Sequence, residues 1–338
     1  MRIWQQPLRG PQAWTRADLA ASDAWQPELT AADRREIAAA LAHATAAQVP
    51  MLHWRQADFP LRELGGRLAA ISDQVRDGLG ITLLRGLDIA DYTDEQVCMI
   101  YWGLGLYLGE PLGQNPKGDL LGHVFDQGRE YGQLDVRGYE TSAYLPYHTD
   151  SANMVGLMCL RQGLSGGRSS FVSAVSIYNA ILAEHPEYLE LLYRGFYYIR
   201  REEALTGNGV SNTPLPVFGV RDGVLSCRYI RNQINAGAVK RGIPLTDVER
   251  AALDFFDAQT QREDLRVDFM LQPGEMAFCN NLTMLHSRTG FVDGTERHQR
   301  RHMLRLWLRF SAPWPVTEDF GEQRNFELLG RTVVSLET

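Results

Sequence analysis

The amino-acid sequence predicts an α+β fold with a mainly β core, a double-sheet barrel of the jelly-roll type with helices around it. Two patterns lead to this prediction. Short strand-like runs, separated by turns that contain Gly and Pro, fill the middle and the C-terminal part of the chain. Segments in which apolar residues recur at helical spacing lie mostly before and between these runs.

Helices are predicted where Leu, Ile and Ala recur every three to four residues. Thr93 and Gln96 are spaced as a capping box, which marks the start of one of them. Pro186 is expected to kink or divide another. The predicted helices cover residues 30–48, 64–79, 93–108, 175–193 and 248–259.

Strands are predicted from short runs of aliphatic, β-branched and aromatic residues that end at turns. The last of these runs alternates in character along its length, as a half-buried strand does. The predicted strands cover residues 81–84, 154–160, 170–172, 196–199, 216–220, 224–230, 267–271, 276–280 and 303–310.

No stretch of the 338 residues has the composition of a flexible linker, so we expect one domain. Within it, residues 1–79 form a helical N-terminal part and residues 80–310 form the barrel with helical insertions. Residues 311–338 are expected to be a C-terminal extension.

Composition and charge exclude some classes of partner and indicate where the protein is located. The 34 Lys and Arg residues against 41 Asp and Glu residues give a net charge of −7, which provides no basic field for nucleic acid or for an anionic membrane. The first residues lack the apolar core of a signal peptide, and no apolar run reaches the ~20 residues that span a bilayer. The four cysteines contain no CxxC pair and are expected to be free thiols. We therefore expect a cytoplasmic protein with a small-molecule substrate, which could form a homo-oligomer.

The residues that indicate a chemistry are His148, Asp150 and His286. In an extended backbone, positions 148 and 150 point to the same side, so one short segment can give two ligands to one metal ion. Two imidazoles and one carboxylate on one face of a metal, with open positions left over, are typical of non-haem Fe(II) oxygenases. Each of these residues is unremarkable alone, and the pattern gains weight only from its context.

Two arginines provide that context. In a strand, Arg301, Met303 and Arg305 share one face, and the intervening positions are Leu or His. A guanidinium on such a face can bind a carboxylate through two parallel hydrogen bonds. A structural ion pair is the alternative explanation for Arg305.

Taken in order, the motifs resemble those of the TauD/TfdA family, the Fe(II)- and 2-oxoglutarate-dependent dioxygenases of the clavaminate-synthase-like group. The resemblance runs from about residue 80 to residue 310. It rests on Tyr147-His148-Thr149-Asp150, Gly166-Gly167-Arg168-Ser169, Pro273-Gly274-Glu275, Asn280-Asn281, His286-Ser287-Arg288-Thr289-Gly290-Phe291 and Arg301-His302-Met303-Leu304-Arg305-Leu306-Trp307-Leu308.

The resemblance implies a double-stranded β-helix, also called cupin-like, and a role for several residues. His148, Asp150 and His286 match the iron ligands. Arg301 matches the arginine that pairs with the distal carboxylate of 2-oxoglutarate, and Ser169 stands where the family usually has a Thr that binds the same group. Arg305 matches a second arginine, which reaches the cosubstrate or an anionic group of the substrate. The acid that often follows the two glycines is replaced here by Arg168.

The resemblance also implies an activity. With Fe(II), 2-oxoglutarate and O₂, the enzyme would abstract hydrogen from an unactivated C–H bond of a small polar substrate, an amino acid or a derivative, and release succinate and CO₂. The outcome would be hydroxylation, or else desaturation or cyclisation. The presence of Asp150 argues against the halogenating relatives, which lack this ligand.

Two other functions stay open at the level of the sequence. One is a catabolic dioxygenase that cleaves a sulfonate or an ether by hydroxylating the adjacent carbon. The other is a zinc-dependent hydrolase that uses the same three ligands, although Arg301 and Ser169 argue against it because hydrolysis needs no 2-oxoglutarate. Candidate substrate contacts, each of which ordinary structural hydrogen bonding would explain equally well, are Tyr144, Tyr147, Asn153, Asn115, Arg231 and Arg305 itself.

Overall fold

Two antiparallel sheets face each other in the computed structural model, which describes residues 3–115, 117–132, 136–200 and 209–320. Most of the predicted C-terminal extension, beyond residue 320, lies outside these ranges. The strands are β1 Ile81–Leu84, β2 Glu110–Pro111, β3 Leu121–Val124, β4 Leu145–His148, β5 Met154–Arg161, β6 Ser165–Gly166, β7 Ser169–Ser173, β8 Phe218–Arg221, β9 Val224–Cys227, β10 Arg266–Phe269, β11 Met276–Asn280, β12 Met284–Arg288, β13 Phe291–Val292 and β14 His302–Arg309.

The larger sheet has the order β1-β11-β5-β14-β2, with β3 also paired to β14, and the smaller sheet has the order β10-β7-β12-β4. Two short pairs, β6 with β13 and β8 with β9, complete the β structure of the described residues. Every pair is antiparallel. The strand order connects sequence-distant strands within each sheet, as the predicted jelly roll requires.

The helices cover the outer faces of the two sheets. The two long helices of the N-terminal part and the one that follows β1 pack on the larger sheet, and those between β7 and β10 pack on the smaller sheet. The short first helix lies against β10. They are α1 Arg16–Ala20, α2 Ala31–Ala47, α3 Leu64–Asp77, α4 Asp94–Leu108, α5 Ala174–Glu184, α6 Tyr188–Arg194, α7 Arg231–Arg241 and α8 Asp247–Thr260. None of the helices among the described residues is long and apolar enough to cross a membrane.

Strand β14 shows how the barrel separates its two faces. Leu304, Leu306 and Leu308 pack outward among the apolar residues beneath α2, α3 and α4. Met303 and Trp307 point inward and share a cluster with residues of both sheets. Because side chains alternate along a strand, Arg301 and Arg305 belong to the same inner face as Met303.

Most of the predicted elements are confirmed, with boundaries that differ by a few residues. The capping box at Thr93 opens α4, and Pro186 separates α5 from α6 as expected. The predicted strand at residues 196–199 is wrong, since this segment makes only isolated bridges to neighbouring chain. The predicted strand at residues 224–230 ends at Cys227 and is followed by the unpredicted helix α7.

A tight turn before β11 depends on the absence of a side chain. Gly274 has φ of +88°, and a Cβ atom there would lie 2.0 Å from the main-chain oxygen of Leu87. Gly223 also has a positive φ of +79°, but a Cβ atom there would meet nothing within 4 Å. Substitution of the two glycines therefore distinguishes the cost of a positive φ, which both share, from the cost of a steric clash, which only Gly274 has.

We predict that Gly223→Ala lowers the free energy of unfolding by about 1–2 kcal/mol, the cost of a left-handed residue with a Cβ atom. Gly274→Ala should cost clearly more, because the main chain near Leu87 must also move. Denaturant titration of both variants measures the difference. Equal losses would show that the turn before β11 adapts freely.

Candidate active site

The three predicted metal ligands converge on the inside of the barrel. His148 ends β4 and lies directly opposite His286 of β12, with a distance of 4.3 Å between the ring centroids. Asp150 follows two residues later, and each of its carboxylate oxygens lies 3.7 Å from Nε2 of one histidine. The three ligand atoms all lie within 4.8 Å of one another, which is a suitable spacing for one metal ion between them.

The main chain fixes the orientation of one imidazole. Nδ1 of His148 lies 2.8 Å from the carbonyl oxygen of Pro146. A carbonyl oxygen only accepts hydrogen bonds, so Nδ1 carries the proton and Nε2 presents its lone pair to the site. Such a bond to the second nitrogen is the usual support of a metal-binding histidine. Nδ1 of His286 has no partner among the described residues.

Asp150 is held from both sides. Nε1 of Trp307 donates a hydrogen bond of 3.0 Å to Oδ2 of the carboxylate. The amide of Asn281 accepts from the main-chain nitrogen of Asp150 at 3.0 Å and donates to its main-chain oxygen. The sequence motif Asn280-Asn281 thus supports the metal site through the backbone, a role that the sequence alone did not reveal.

The charge states of the triad suit a metal. Burial by itself would raise the pKa of Asp150, but Arg305, the two histidines and the bond from Trp307 outweigh it and lower that pKa below its usual value. Burial, reinforced by His148 and by Arg305, lowers the pKa of His286 to about 3. At neutral pH the site therefore offers one carboxylate and an uncharged His286 imidazole, as metal binding requires.

Arg301 is the second part of the site. Its side chain is buried on the inner face of β14, next to the ring of Phe291, and its Nε and Nη1 atoms have no hydrogen-bond partner among the described residues. A Cβ atom at Gly167 would lie 2.9 Å from Nε, so the Gly-Gly turn allows this close approach. Burial and the nearby Arg288 lower the pKa of Arg301 to about 9, which leaves it charged at neutral pH.

Ser169 and Arg288 are two further buried polar residues of this part of the barrel. The two residues lie opposite each other on neighbouring strands β7 and β12. Arg288 is buried, its Nη2 donates to the carbonyl oxygens of Thr141 and Ala143, and its Nε has no partner among the described residues. The sequence analysis assigned no role to Arg288, although it lies two residues after His286 and therefore on the same face of the strand.

The two nitrogen atoms of Arg301 that lack partners among the described residues are suited to bind one carboxylate of a dicarboxylate. A buried guanidinium without a hydrogen-bonded acid is costly unless another anion completes it. Three metal ligands that leave coordination positions open, together with such a guanidinium on the same inner face, match the requirements of iron and 2-oxoglutarate. The residues present therefore fit the groups that the motifs imply.

Arg305 lies between the triad and the loop that follows β2. Its Nη1 is 3.8 Å from Oδ2 of Asp150, and its Nε donates a hydrogen bond of 2.7 Å to Oε1 of Gln114. The rings of Tyr139 and Trp307 lie 4.5 and 5.0 Å from its Cζ atom. The contact with Asp150 is the structural ion pair that the sequence left open as the explanation for Arg305.

Two of the candidate substrate contacts have their polar groups engaged by other residues. Tyr147 belongs to the apolar cluster outside the smaller sheet and bonds Ser170, because it alternates with His148 along β4. Arg231 forms ion pairs with Asp254 at 2.6 Å and Asp257 at 2.8 Å, which occupy its guanidinium.

The other three candidates lie in loops. Asn115 uses its amide within its own loop, where it donates to Asp119 and accepts from two main-chain nitrogens. Tyr144 is exposed and its hydroxyl accepts from Gln261. Asn153 is half-buried, and its main-chain oxygen accepts a hydrogen bond from Asn281.

Comparison with known proteins agrees with this geometry. Residues 42–307 match the model of the family described as "Taurine catabolism dioxygenase TauD, TfdA family". The chain is 32% identical over 314 residues to FR-33289 synthase of Streptomyces rubellomurinus, which covers 91% of this chain and 92% of that protein. It is 28% identical over 313 residues to a taurine hydroxylase-like protein of Stachybotrys chartarum, covering 88% and 79% of the two chains.

A solved structure shows the same fold. Asparagine oxygenase in complex with Fe(II), (2S,3S)-3-hydroxyasparagine and succinate superimposes with a TM-score of 0.66. The match covers 84% of this chain and 93% of that one at 19% identity. The double-stranded β-helix that the sequence motifs implied is thus confirmed.

We predict that Trp307→Phe weakens the binding of Fe(II) about 10–100-fold, because removing a hydrogen bond to a metal ligand typically costs this much affinity. Anaerobic titration with Fe(II) measures the effect. Trp314→Phe is the matched control, since its indole donates an equally long bond of 3.0 Å to Ser226 instead of to a metal ligand. Equal affinities in the two variants would mean that the Trp307 bond does not support the metal site.

Proposed function

This chain belongs to the TauD/TfdA family of Fe(II)- and 2-oxoglutarate-dependent dioxygenases, and we propose from this premise how its residues divide the work. His148, Asp150 and His286 hold the iron. Arg301 and Ser169 bind the distal carboxylate of 2-oxoglutarate. Arg305 binds an anionic group of a small polar substrate, an amino acid or a derivative.

When bound, iron supplies the oxidising chemistry: with O₂ and 2-oxoglutarate it removes hydrogen from an unactivated C–H bond, and succinate and CO₂ are released. The residues of the chain hold the participants in place. The hydrogen bond that Nδ1 of His148 donates to Pro146 keeps Nε2 free for the metal, and Trp307 and Asn281 fix Asp150. The apolar inner cluster around Met303, Phe171 and Ala277 keeps water away from the reacting centre.

The observation that carries the proposal is the buried guanidinium of Arg301, whose Nε and Nη1 have no hydrogen-bond partner among the described residues. A zinc hydrolase with the same three ligands would have no use for a second buried cation that lacks an acid. A dicarboxylate cosubstrate uses both features at once, because one end can reach the metal and the other can meet Arg301. The family match and this buried cation therefore favour oxygenase chemistry over hydrolysis.

The substrate class rests on Arg305 and on the names of similar proteins. Asparagine oxygenase and the taurine hydroxylase-like protein are named for small amino compounds with an acidic group. A buried arginine next to the metal ligands would bind such a carboxylate or sulfonate and so fix the position of the C–H bond to be attacked.

A screen for turnover tests the proposed function. The protein is purified anaerobically and given Fe(II), 2-oxoglutarate, O₂ and a library of amino acids, amino-acid derivatives and aminosulfonates, and succinate is measured. We expect succinate to rise above the substrate-free rate for a member of this library, and His148→Ala and Asp150→Ala to abolish it. Hydrolytic activity of a preparation that holds only zinc would overturn the proposal.

We predict that Arg301→Ala raises the Kd for 2-oxoglutarate by at least about 100-fold, because buried hydrogen bonds to charged groups contribute about 1.5–3 kcal/mol each. The affinity for Fe(II) should stay the same. Anaerobic titration of the metal-free protein with Fe(II) measures the metal affinity, and titration of the Fe(II) enzyme with 2-oxoglutarate measures the cosubstrate affinity. Arg300→Ala is the control, since this neighbour is exposed and donates to the carbonyl oxygen of Thr295. Undiminished 2-oxoglutarate binding by the Arg301 variant would remove this residue from the cosubstrate site.

A further inference from the structure

Gln114 is a buried polar residue that the proposed function leaves without a role. It follows β2 in the chain, and only 2% of its surface is exposed. Its Oε1 accepts from Nε of Arg305 at 2.7 Å, and its Nε2 donates to the main-chain oxygens of Arg305 at 2.8 Å and of Leu120 at 2.9 Å. Both amide donors and the acceptor are therefore engaged, and two of the three bonds go to the same arginine.

These bonds fix which way the amide points. Nε of an arginine can only donate and a carbonyl oxygen can only accept. An amide turned by 180° would place its NH₂ group against the Nε–H of Arg305 and its oxygen against two carbonyl oxygens. The orientation with Oε1 on Nε is therefore the one that satisfies every group, and it presents a neutral acceptor to the guanidinium.

The bond from Gln114 restricts how Arg305 can meet a ligand. A guanidinium can bind an oxyanion with two hydrogen bonds either through Nε and one terminal nitrogen or through both terminal nitrogens. At Arg305 the Nε edge is occupied by Gln114, whereas the 3.8 Å between Nη1 and Oδ2 of Asp150 is too long for a hydrogen bond and leaves the terminal nitrogens available. An anion can therefore approach only the end of the guanidinium formed by Nη1 and Nη2, beside the metal ligands.

Arg301 shows the contrast, four residues earlier on the same face of the strand. There Nε has no partner among the described residues, and neither has Nη1. The two arginines thus differ at Nε: that of Arg301 has no hydrogen-bond partner among the described residues, whereas that of Arg305 donates to Gln114. The difference at Nε comes from Gln114, which accepts the hydrogen bond of Arg305.

We infer that Gln114 is a positioning residue that makes Arg305 bind the carboxylate or sulfonate of the substrate end-on, through its two terminal nitrogens. The inference rests on the proposed role of Arg305 in substrate binding. The neutrality of Gln114 is part of this role. A carboxylate at position 114 would pair with Arg305 and remove the positive charge that attracts the substrate, whereas an amide orients the guanidinium and leaves its charge available.

Binding of two small anions tests the inference without turnover. Acetate and methanesulfonate are titrated calorimetrically into the anaerobic enzyme that already holds Fe(II) and 2-oxoglutarate, so that Arg301 is occupied. The variants are Gln114→Glu, which keeps the shape and adds a charge, Gln114→Met, which removes the bond to Nε, and Arg305→Met. Gln162→Glu and Gln162→Met are matched controls, because the amide of Gln162 donates to the main-chain oxygen of Leu271 instead.

We expect the wild type and both Gln162 variants to bind the two anions alike, and Arg305→Met to lose this binding. Gln114→Met should weaken it several-fold through lost orientation, and Gln114→Glu at least 10-fold more than Gln114→Met. The Kd for 2-oxoglutarate should stay within about twofold of the wild type in both Gln114 variants, as should their melting temperature within a few degrees, a result that general damage to the fold would not give.

The outcomes separate the two claims. If Arg305→Met binds the anions as tightly as the wild type, or if the wild type binds neither anion, the proposed substrate-binding role of Arg305 fails and the inference fails with it. If Arg305→Met loses binding but both Gln114 variants match the wild type, only the inference about Gln114 is overturned. A Gln114→Glu variant that binds as well as Gln114→Met would contradict the importance of a neutral side chain at this position.

Discussion

The buried carboxylate of Asp150 is the point on which the rest of the site depends. A charged carboxylate inside a protein is unfavourable unless cations and hydrogen-bond donors surround it. Here both histidines, Trp307 and Arg305 approach its oxygens, and Asn281 holds the backbone that carries it. These residues come from strands of both sheets and from the segments next to them. Each sheet is thus tied to the same charge, and the closed barrel is a condition for the metal site.

The two-residue period of the strands explains how much of this site could be predicted from the sequence. The period places His148 with Asp150, and it places Arg301 and Arg305 on one face with Met303. It also gives the inward position of Trp307, which the sequence analysis did not use. The same rule should have excluded Tyr147, because a neighbour of His148 in a strand must point to the opposite face. That error came from reading proximity in sequence as proximity in space.

Other parts of the site depend on contacts that no local pattern reveals. Gln114 and Arg305 are 191 positions apart, and Trp307 and Asp150 are 157 apart. These pairs meet only because β14 lies inside the larger sheet, with β5 on one side and β2 and β3 on the other. The ion pairs of Arg231 could not be foreseen for a related reason, since its acidic partners lie on α8, a separate helix. The elements and the ligand triad were thus predictable, whereas the partners of individual polar groups required the tertiary structure.

The interior charges argue for an anionic substrate independently of any relative. Arg288 and Arg301 make no ion pair within the described residues, and Arg305 has Asp150 as its acidic neighbour. A divalent metal and a doubly charged cosubstrate would cancel each other and leave this balance unchanged. The three arginines would therefore still exceed the single charge of Asp150 after both have bound, in an environment of low polarity where charge acts strongly. A neutral substrate would leave that positive charge unmet, while a carboxylate or sulfonate near Arg305 would compensate it next to the metal ligands.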